Sequence, residues 1–458
     1  MRNKIVLFVA GCYVLLLSSC LNSDENTITE IAPNCQISSF TLATDSVEML
    51  EKVRFSIDQL NGRIFNADSL PYGTEIEKVV CTLKYMNSYA IGGVQVQQEA
   101  ISDTLAWWNG TDSLDFSKPV KFKLYAYDAL TTKEYYAQVN IHQVVPDSMA
   151  WSLYADGVWN EPLREQKVIA YAPAGNPTYY YMYAEPAAGE GYTLYRSGVD
   201  DVRAWTELSL TGLPEENLRI SQLTEYNGNL YVPATDGKLY VSSDGQAWSR
   251  VEEAPAVKYL LGNVAAGENQ AAVLCGVSEE ADGLRFAAMG EDRKWTSGDA
   301  VPAGFPLTGF GASGYSVMYH AYLMVVAGRD KDNRLVNSSW GTMNGTNWAL
   351  LSDVERQPFD NREGVMVTPY DDRLFLIGGL DASGKALKDI YTSTDYGVTW
   401  ALSDTLVVMP ADYMARGFAS VQVDKEQFMF FFGGKTAPAG NELNQIWRGR
   451  INRLGFKQ

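Results

Sequence analysis

The stretch STDYGVTW, Ser393 to Trp400, follows one strand signal, precedes another and ends on a tryptophan. Asp395 is placed to accept backbone N–H bonds within its own turn, and Gly397 to take a positive φ. Shorter versions stand at SSDGQAW (Ser242 to Trp248) and TMNGTNW (Thr342 to Trp348), the second with Asn344 in the place of Asp395. A catalytic site needs one copy; a turn that recurs is architecture. Five tryptophans mark the recurrence: Trp205, Trp248, Trp295, Trp348 and Trp400. Their spacing runs from 43 residues (Trp205 to Trp248) to 53 (Trp295 to Trp348). A repeat of that length carrying four strand signals reads as a β-propeller blade.

Six repeats follow, over residues 164–209, 217–253, 257–299, 311–353, 363–404 and 416–456. Several carry an apolar strand ending in glycine, as in LMVVAG, LFLIGG and MFFFGG, with the pairs Gly378–Gly379 and Gly433–Gly434. These pairs, followed by an aromatic residue and then Trp, resemble kelch repeats and the central domain of galactose oxidase. STDYGVTW itself resembles the Asp-box of sialidases and other propellers. The last repeat has Trp447 but no later Trp, whereas AWSLYAD (Ala150 to Asp156) resembles NWALLSD (Asn347 to Asp353). The strand around Trp151 is therefore expected to complete the blade of residues 416–456, since pairing the termini removes an exposed sheet edge. The competing closure uses the C-terminal RLGFKQ.

Upstream, residues 36–145 show short alternating runs with no helical period. In VKFKLYAY, Val120, Phe122, Leu124 and Ala126 share one face, as in a half-buried antiparallel strand. About seven such strands predict an immunoglobulin-like sandwich, and residues 115–141 resemble the final hairpin of Ig-like modules in Bacteroidetes surface proteins. The fold class is thus all-β: an Ig-like sandwich, then a six-bladed kelch-like propeller over residues 146–458.

The first twenty residues, MRNKIVLFVAGCYVLLLSSC, have a basic start and an apolar run too short to span a membrane. Residues 1–19 read as a signal peptide. LSSC (Leu17 to Cys20) resembles a bacterial lipobox, which implies lipidation of Cys20 and a tether over residues 20–35. Asp24 and Glu25 resemble the surface-export signal of Bacteroidetes lipoproteins, implying an outer-membrane protein, lipid-anchored and facing the exterior. Of the remaining cysteines, Cys35 and Cys81 either pair in that oxidising compartment or stay free as buried apolar residues; Cys275 reads as strand core.

A net charge of −18 speaks against a nucleic-acid partner. A sialidase-type site needs an arginine triad and a Tyr–Glu pair, and the usual Arg motif is absent. A galactose-oxidase copper site needs two His; the propeller has His320 alone, since His142 precedes it. Neither a cofactor nor a metal site is expected. The candidate ligand site is the channel mouth. In kelch repeats the Arg just before the first strand commonly points there, and Arg362 and Arg416 match that position, with Ser313, Tyr315 and Tyr413 nearby. Each Arg either donates paired hydrogen bonds to a ligand or braces a neighbouring loop. The expected function is non-catalytic binding of a glycan or peptide at the mouth. The alternatives are a divergent hydrolase or lyase acting on carbohydrate, and a structural subunit with a partner in an outer-membrane complex.

Overall fold

The computed structural model describes residues 33–44, 48–159, 161–353, 355–438 and 442–453. Cys20 and the leader lie outside the described residues. Two compact units divide at Val145 and Pro146.

In the first unit, strands Ile37–Ala43 and Val80–Tyr85 pair as a two-stranded sheet. Six further strands form the second sheet, in the order Phe55–Asp58, Arg63–Asn66, Thr132–Gln138, Val120–Ala126, Ile91–Gln98 and Ala106–Trp107. One core joins both sheets: Ile37, Phe40 and Cys81 meet Phe122, Leu124 and Tyr135. The alternation in Val120–Ala126 is observed, every second residue being buried. The disulfide alternative for Cys35 and Cys81 is not realised. Both are free, buried thiols, Cys35 Sγ lies 3.4 Å from the Thr131 carbonyl, and burial pushes Cys81 up to about 12.

The second unit is a ring of six antiparallel sheets. The first blade is Leu163–Tyr171, Tyr179–Pro186, Thr193–Gly198 and Thr206–Leu208; the next three begin at Thr224, Val257 and Gly311. The fifth blade is Met366–Tyr370, Arg373–Asp381, Ala386–Ser393 and Ala401–Leu402, with the short strand Arg362–Glu363 also paired to Arg373–Asp381. The sixth takes Ser420–Val423, Met429–Phe432 and Gln445–Ile451 from the C-terminal end and its fourth strand, Met149–Asp156, from the start of the unit. The terminal strand around Trp151 therefore closes the ring. Asp147 N–H donates to the Asn452 carbonyl, and Asn452 N–H to the Ser148 carbonyl, each at 2.9 Å. Trp151 lies across Gly449, where an added Cβ would stand 2.2 Å from the indole, and its Nε1 donates to the Val408 carbonyl.

The STDYGVTW turn fastens neighbouring blades. Ser393 Oγ donates to Asp395 Oδ1 and accepts from Gly397 N–H, both at 2.8 Å. Asp395 also accepts from the Thr399 amide and hydroxyl. Partial burial works against the carboxylate, but the bonds from Thr399 and Ser393 outweigh it and hold its pKa below the usual value. Gly397 (φ 92°) presses on Met324 of the preceding blade. The same turn recurs at Ser242–Asp244–Gly245, with Gly245 against Tyr181, and at Thr342–Asn344–Gly345, with Gly345 against Cys275. A glycine is required there because a side chain would enter the neighbouring sheet.

Two outcomes are expected. Gly449→Ala destabilises the closing blade by about 1–3 kcal/mol through overpacking, and Trp151→Ala relieves that clash. Thermal melts of both single variants and the double variant should therefore show strong non-additivity. Asp395→Ala lowers Tm by about 2–4 °C, as loss of roughly 1 kcal/mol requires. Because the folded-state pKa is depressed, the Asp395 contribution is present above the unfolded carboxylate value of about 4 and fades as pH falls through the folded one. Calorimetry across pH 2–7 checks this.

Candidate functional site

The first strands of successive blades neighbour one another around the ring, except that Leu163–Tyr171 meets the 3-10 turn Ile220–Gln222 just ahead of the second blade's first strand. Backbone bonds tie the strand starts together: Gly364 N–H donates to the Gly309 carbonyl at 2.6 Å, and Phe418 N–H to the Gly364 carbonyl at 2.7 Å. Around them opens a cavity of about 450 Å³. Residues 163–167, 221–222, 309–312, 364–367 and 418–422 line it, so five blades contribute and the blade beginning at Val257 does not. The volume falls within the range of small-ligand sites.

Arg362 and Arg416 do not line this cavity. Both guanidinium groups turn back into their own blades. Arg416 is fully buried; its Nε donates to the Met414 carbonyl, Nη1 to the Gly433 carbonyl at 2.9 Å and Nη2 to Gln445 Oε1. It lies over the Tyr413 ring at 4.5 Å. Arg362 repeats the arrangement: Nε to the Asp360 carbonyl, Nη1 to the Gly378 carbonyl and to Asp389 Oδ1 at 2.8 Å, with Phe359 beneath it. Gly378 and Gly433 have φ near 60°. Left-handed glycines there present their carbonyls to the arginines, which explains the double-glycine pattern physically. The arginines therefore brace, and the ligand-anchor reading of them is corrected: their donors are engaged by backbone carbonyls and by the Asp389 and Gln445 side chains of their own blades.

The other three candidates are likewise structural. Ser313 is buried, with its hydroxyl 3.3 Å from the Gly314 carbonyl. Tyr315 stacks between Tyr322 and Tyr396, with ring centroids 5.2 and 4.7 Å away; burial pushes its phenol up to about 12. Tyr413 is enclosed by Arg416, Phe431 and Trp447. None of the three touches the cavity.

The residues that do face it escaped the sequence reading. Most polar groups there are occupied by inter-blade bonds. Gln166 Nε2 donates to the Phe432 carbonyl, Val168 N–H to Ser420 Oγ, and Gln222 bridges the Leu307 carbonyl and Leu260 N–H. Glu165 accepts from Ser221 N–H, and Arg164 pairs with Glu185. Lys167 is different. It lines the cavity, yet among the described residues its ammonium has neither a hydrogen bond nor an ion pair. Desolvation inside the ring lowers its pKa from the ordinary lysine value, against a smaller opposing pull from Glu165. Lys435 also faces the cavity, its ammonium 5.7 Å from the Phe418 ring centroid. The visible signal was a single Lys within REQKVIAY, a strand that only ring closure places on the axis.

Six blades around an axial cavity lined by the starts of inner strands define a β-propeller protein. The chain belongs to the DUF6242 family: the model described as "DUF6242 beta propeller domain" matches residues 145–458, and the "Domain of unknown function (DUF6242) N-terminal domain" matches residues 23–139. Among solved structures, the chain is similar to "Structure of YjhT" at 12% identity and a TM-score of 0.44, over 64% of this chain and 96% of that one. No curated protein matches.

Removing the Arg416 side chain strands two carbonyls and a buried ring. Arg416→Ala should cost about 2–5 kcal/mol, since each buried acceptor left without its donor costs roughly 1–3 kcal/mol. In denaturant titrations the propeller transition should shift to markedly lower concentration; a stability equal to wild type would contradict the bracing role.

Proposed function

We propose that this protein is an outer-membrane surface lipoprotein whose propeller, of the kelch type, binds without catalysis a glycan or peptide group carrying a carboxylate. The observation that carries the reading is Lys167: an unpaired ammonium inside a ligand-sized cavity whose other polar groups are mostly satisfied. Desolvating a cation without a partner costs free energy, and a bound carboxylate offsets that cost. The apolar walls from Val365, Val367 and Val421 suit the less polar body of such a ligand. The lipobox, the acidic residues behind Cys20 and the double-glycine repeats support the anchoring and the repeat type.

Calorimetry with uronic-acid mono- and disaccharides, their neutral counterparts and acidic tripeptides tests the reading, with product analysis in the same samples. Carboxylate-bearing probes should bind, and Lys167→Met should weaken them at least ten-fold, or about 1.4 kcal/mol. The same variant should raise Tm by about 1–4 °C, since it removes a desolvated charge. Affinity should fall as pH rises through the lowered Lys167 pKa, at a pH below that of an ordinary lysine. Cleavage products, or equal binding by Lys167→Met, would overturn this function.

A further inference from the structure

A second feature stands apart from the channel, where the closing blade meets the first blade. Five side chains alternate there as cation and ring. The Arg203 guanidinium lies 4.1 Å from the Tyr154 ring centroid, and Arg448 lies 4.5 Å from the same ring. Arg448 is also 4.8 Å from the Phe428 ring, and Arg450 is 4.4 Å from it. Arg203 and Arg450 are exposed and Arg448 half-buried. The strand pairing explains the row. Arg448 and Arg450 are two residues apart on Gln445–Ile451 and share a face, while Tyr154 comes from the neighbouring strand Met149–Asp156.

Among the described residues none of these three arginines has a carboxylate partner. That is unexpected in a chain with 55 acidic residues against 37 basic ones. Arg203 Nε donates to the Tyr154 carbonyl; among the described residues the guanidinium groups of Arg448 and Arg450 make no hydrogen bond. Two ring faces within 5 Å hold the Arg448 guanidinium while its N–H groups stay unpartnered among the described residues, so less ordering remains to be lost when an anion arrives. Beside the row lies a groove of about 350 Å³, walled by Tyr154, Phe428 and Arg448. Its acids are largely engaged: Asp200 pairs with Lys425, and Asp424 accepts from the Glu426 and Phe428 amides. Glu426 stays exposed at the rim.

We propose that this arginine–aromatic row is a docking surface for a linear acidic glycan, whose carboxylate or sulfate groups are gripped by the guanidinium edges while a sugar ring enters the groove. A row of cations fits a chain with repeating charges, and a ring-sized recess next to the central guanidinium favours a sugar over an extended peptide. This surface is independent of the channel and of Lys167.

Affinity electrophoresis of the purified protein through gels containing polygalacturonate, dextran sulfate, neutral dextran or poly-glutamate tests the proposal. Retardation is expected in polygalacturonate or dextran sulfate and not in dextran, and it should diminish with added salt. Arg448→Ala should weaken it at least ten-fold. Arg448→Lys should fail to restore it, because an ammonium lacks the planar fork. Arg203→Gln/Arg450→Gln should weaken it further with an unchanged melting temperature, and Lys167→Met should leave the retardation in dextran sulfate, which carries no carboxylate, intact. Undiminished retardation of Arg448→Ala, full function of Arg448→Lys, or absence of wild-type retardation in both acidic glycans would overturn the proposal. Retardation by poly-glutamate equal to or stronger than that by the glycans would overturn it in favour of an acidic peptide.

Discussion

The propeller depends on one pairing: strand Met149–Asp156 against Gln445–Ile451. Each blade buries its faces against its two neighbours, so an unclosed ring would leave a sheet edge and an apolar face exposed. The clasp uses several devices at once. Asn444 Oδ1 accepts from Val158 and Trp159 N–H, Arg453 joins Asp147 and Asp371, and Trp151 packs flat on Gly449. The same pairing brings Tyr154 beside Arg448 and thereby assembles the cationic row. Closure is thus a condition for surface chemistry as well as for stability.

Once the ring is closed, each neighbour contact must be reproduced with little tolerance. The Ser–Asp–Gly turns do this by placing a left-handed glycine against the preceding blade, at Tyr181, Cys275 and Met324. The buried arginines do it within a blade, joining the loop before the first strand to the bulge in the second. Arg329 adds a bridge between blades, with both Glu363 oxygens at 2.6 and 2.7 Å. These polar devices are fully paired, which is the condition under which buried charge is tolerated. Lys167 and Lys435, which face the axial cavity, have no such hydrogen-bond or ion-pair partner for their ammonium groups among the described residues.

Much of the fold was legible in the sequence. The tryptophan period, the Ser–Asp–Gly turns and the likeness of AWSLYAD to NWALLSD each express local chemistry: a turn, a strand and an inter-blade indole. The candidate site was far less legible. Arg362 and Arg416 were placed at the correct positions, just before the strands that reach the mouth, yet the residues facing the cavity there are Gly364 and Phe418. A side chain next to a channel can point along the axis or back into its blade. The left-handed carbonyls of Gly378 and Gly433 decide for the blade.

What the sequence by itself determined is whatever repeats: six blades, the turns between their outer strands, and the strand that closes the ring, because each is encoded by neighbouring residues with their own hydrogen bonds and periodicity. What only the tertiary structure decided is which charges lack partners. Whether Lys167 or Arg448 stands alone depends on groups drawn from other blades, and no local pattern records the absence of a carboxylate across space.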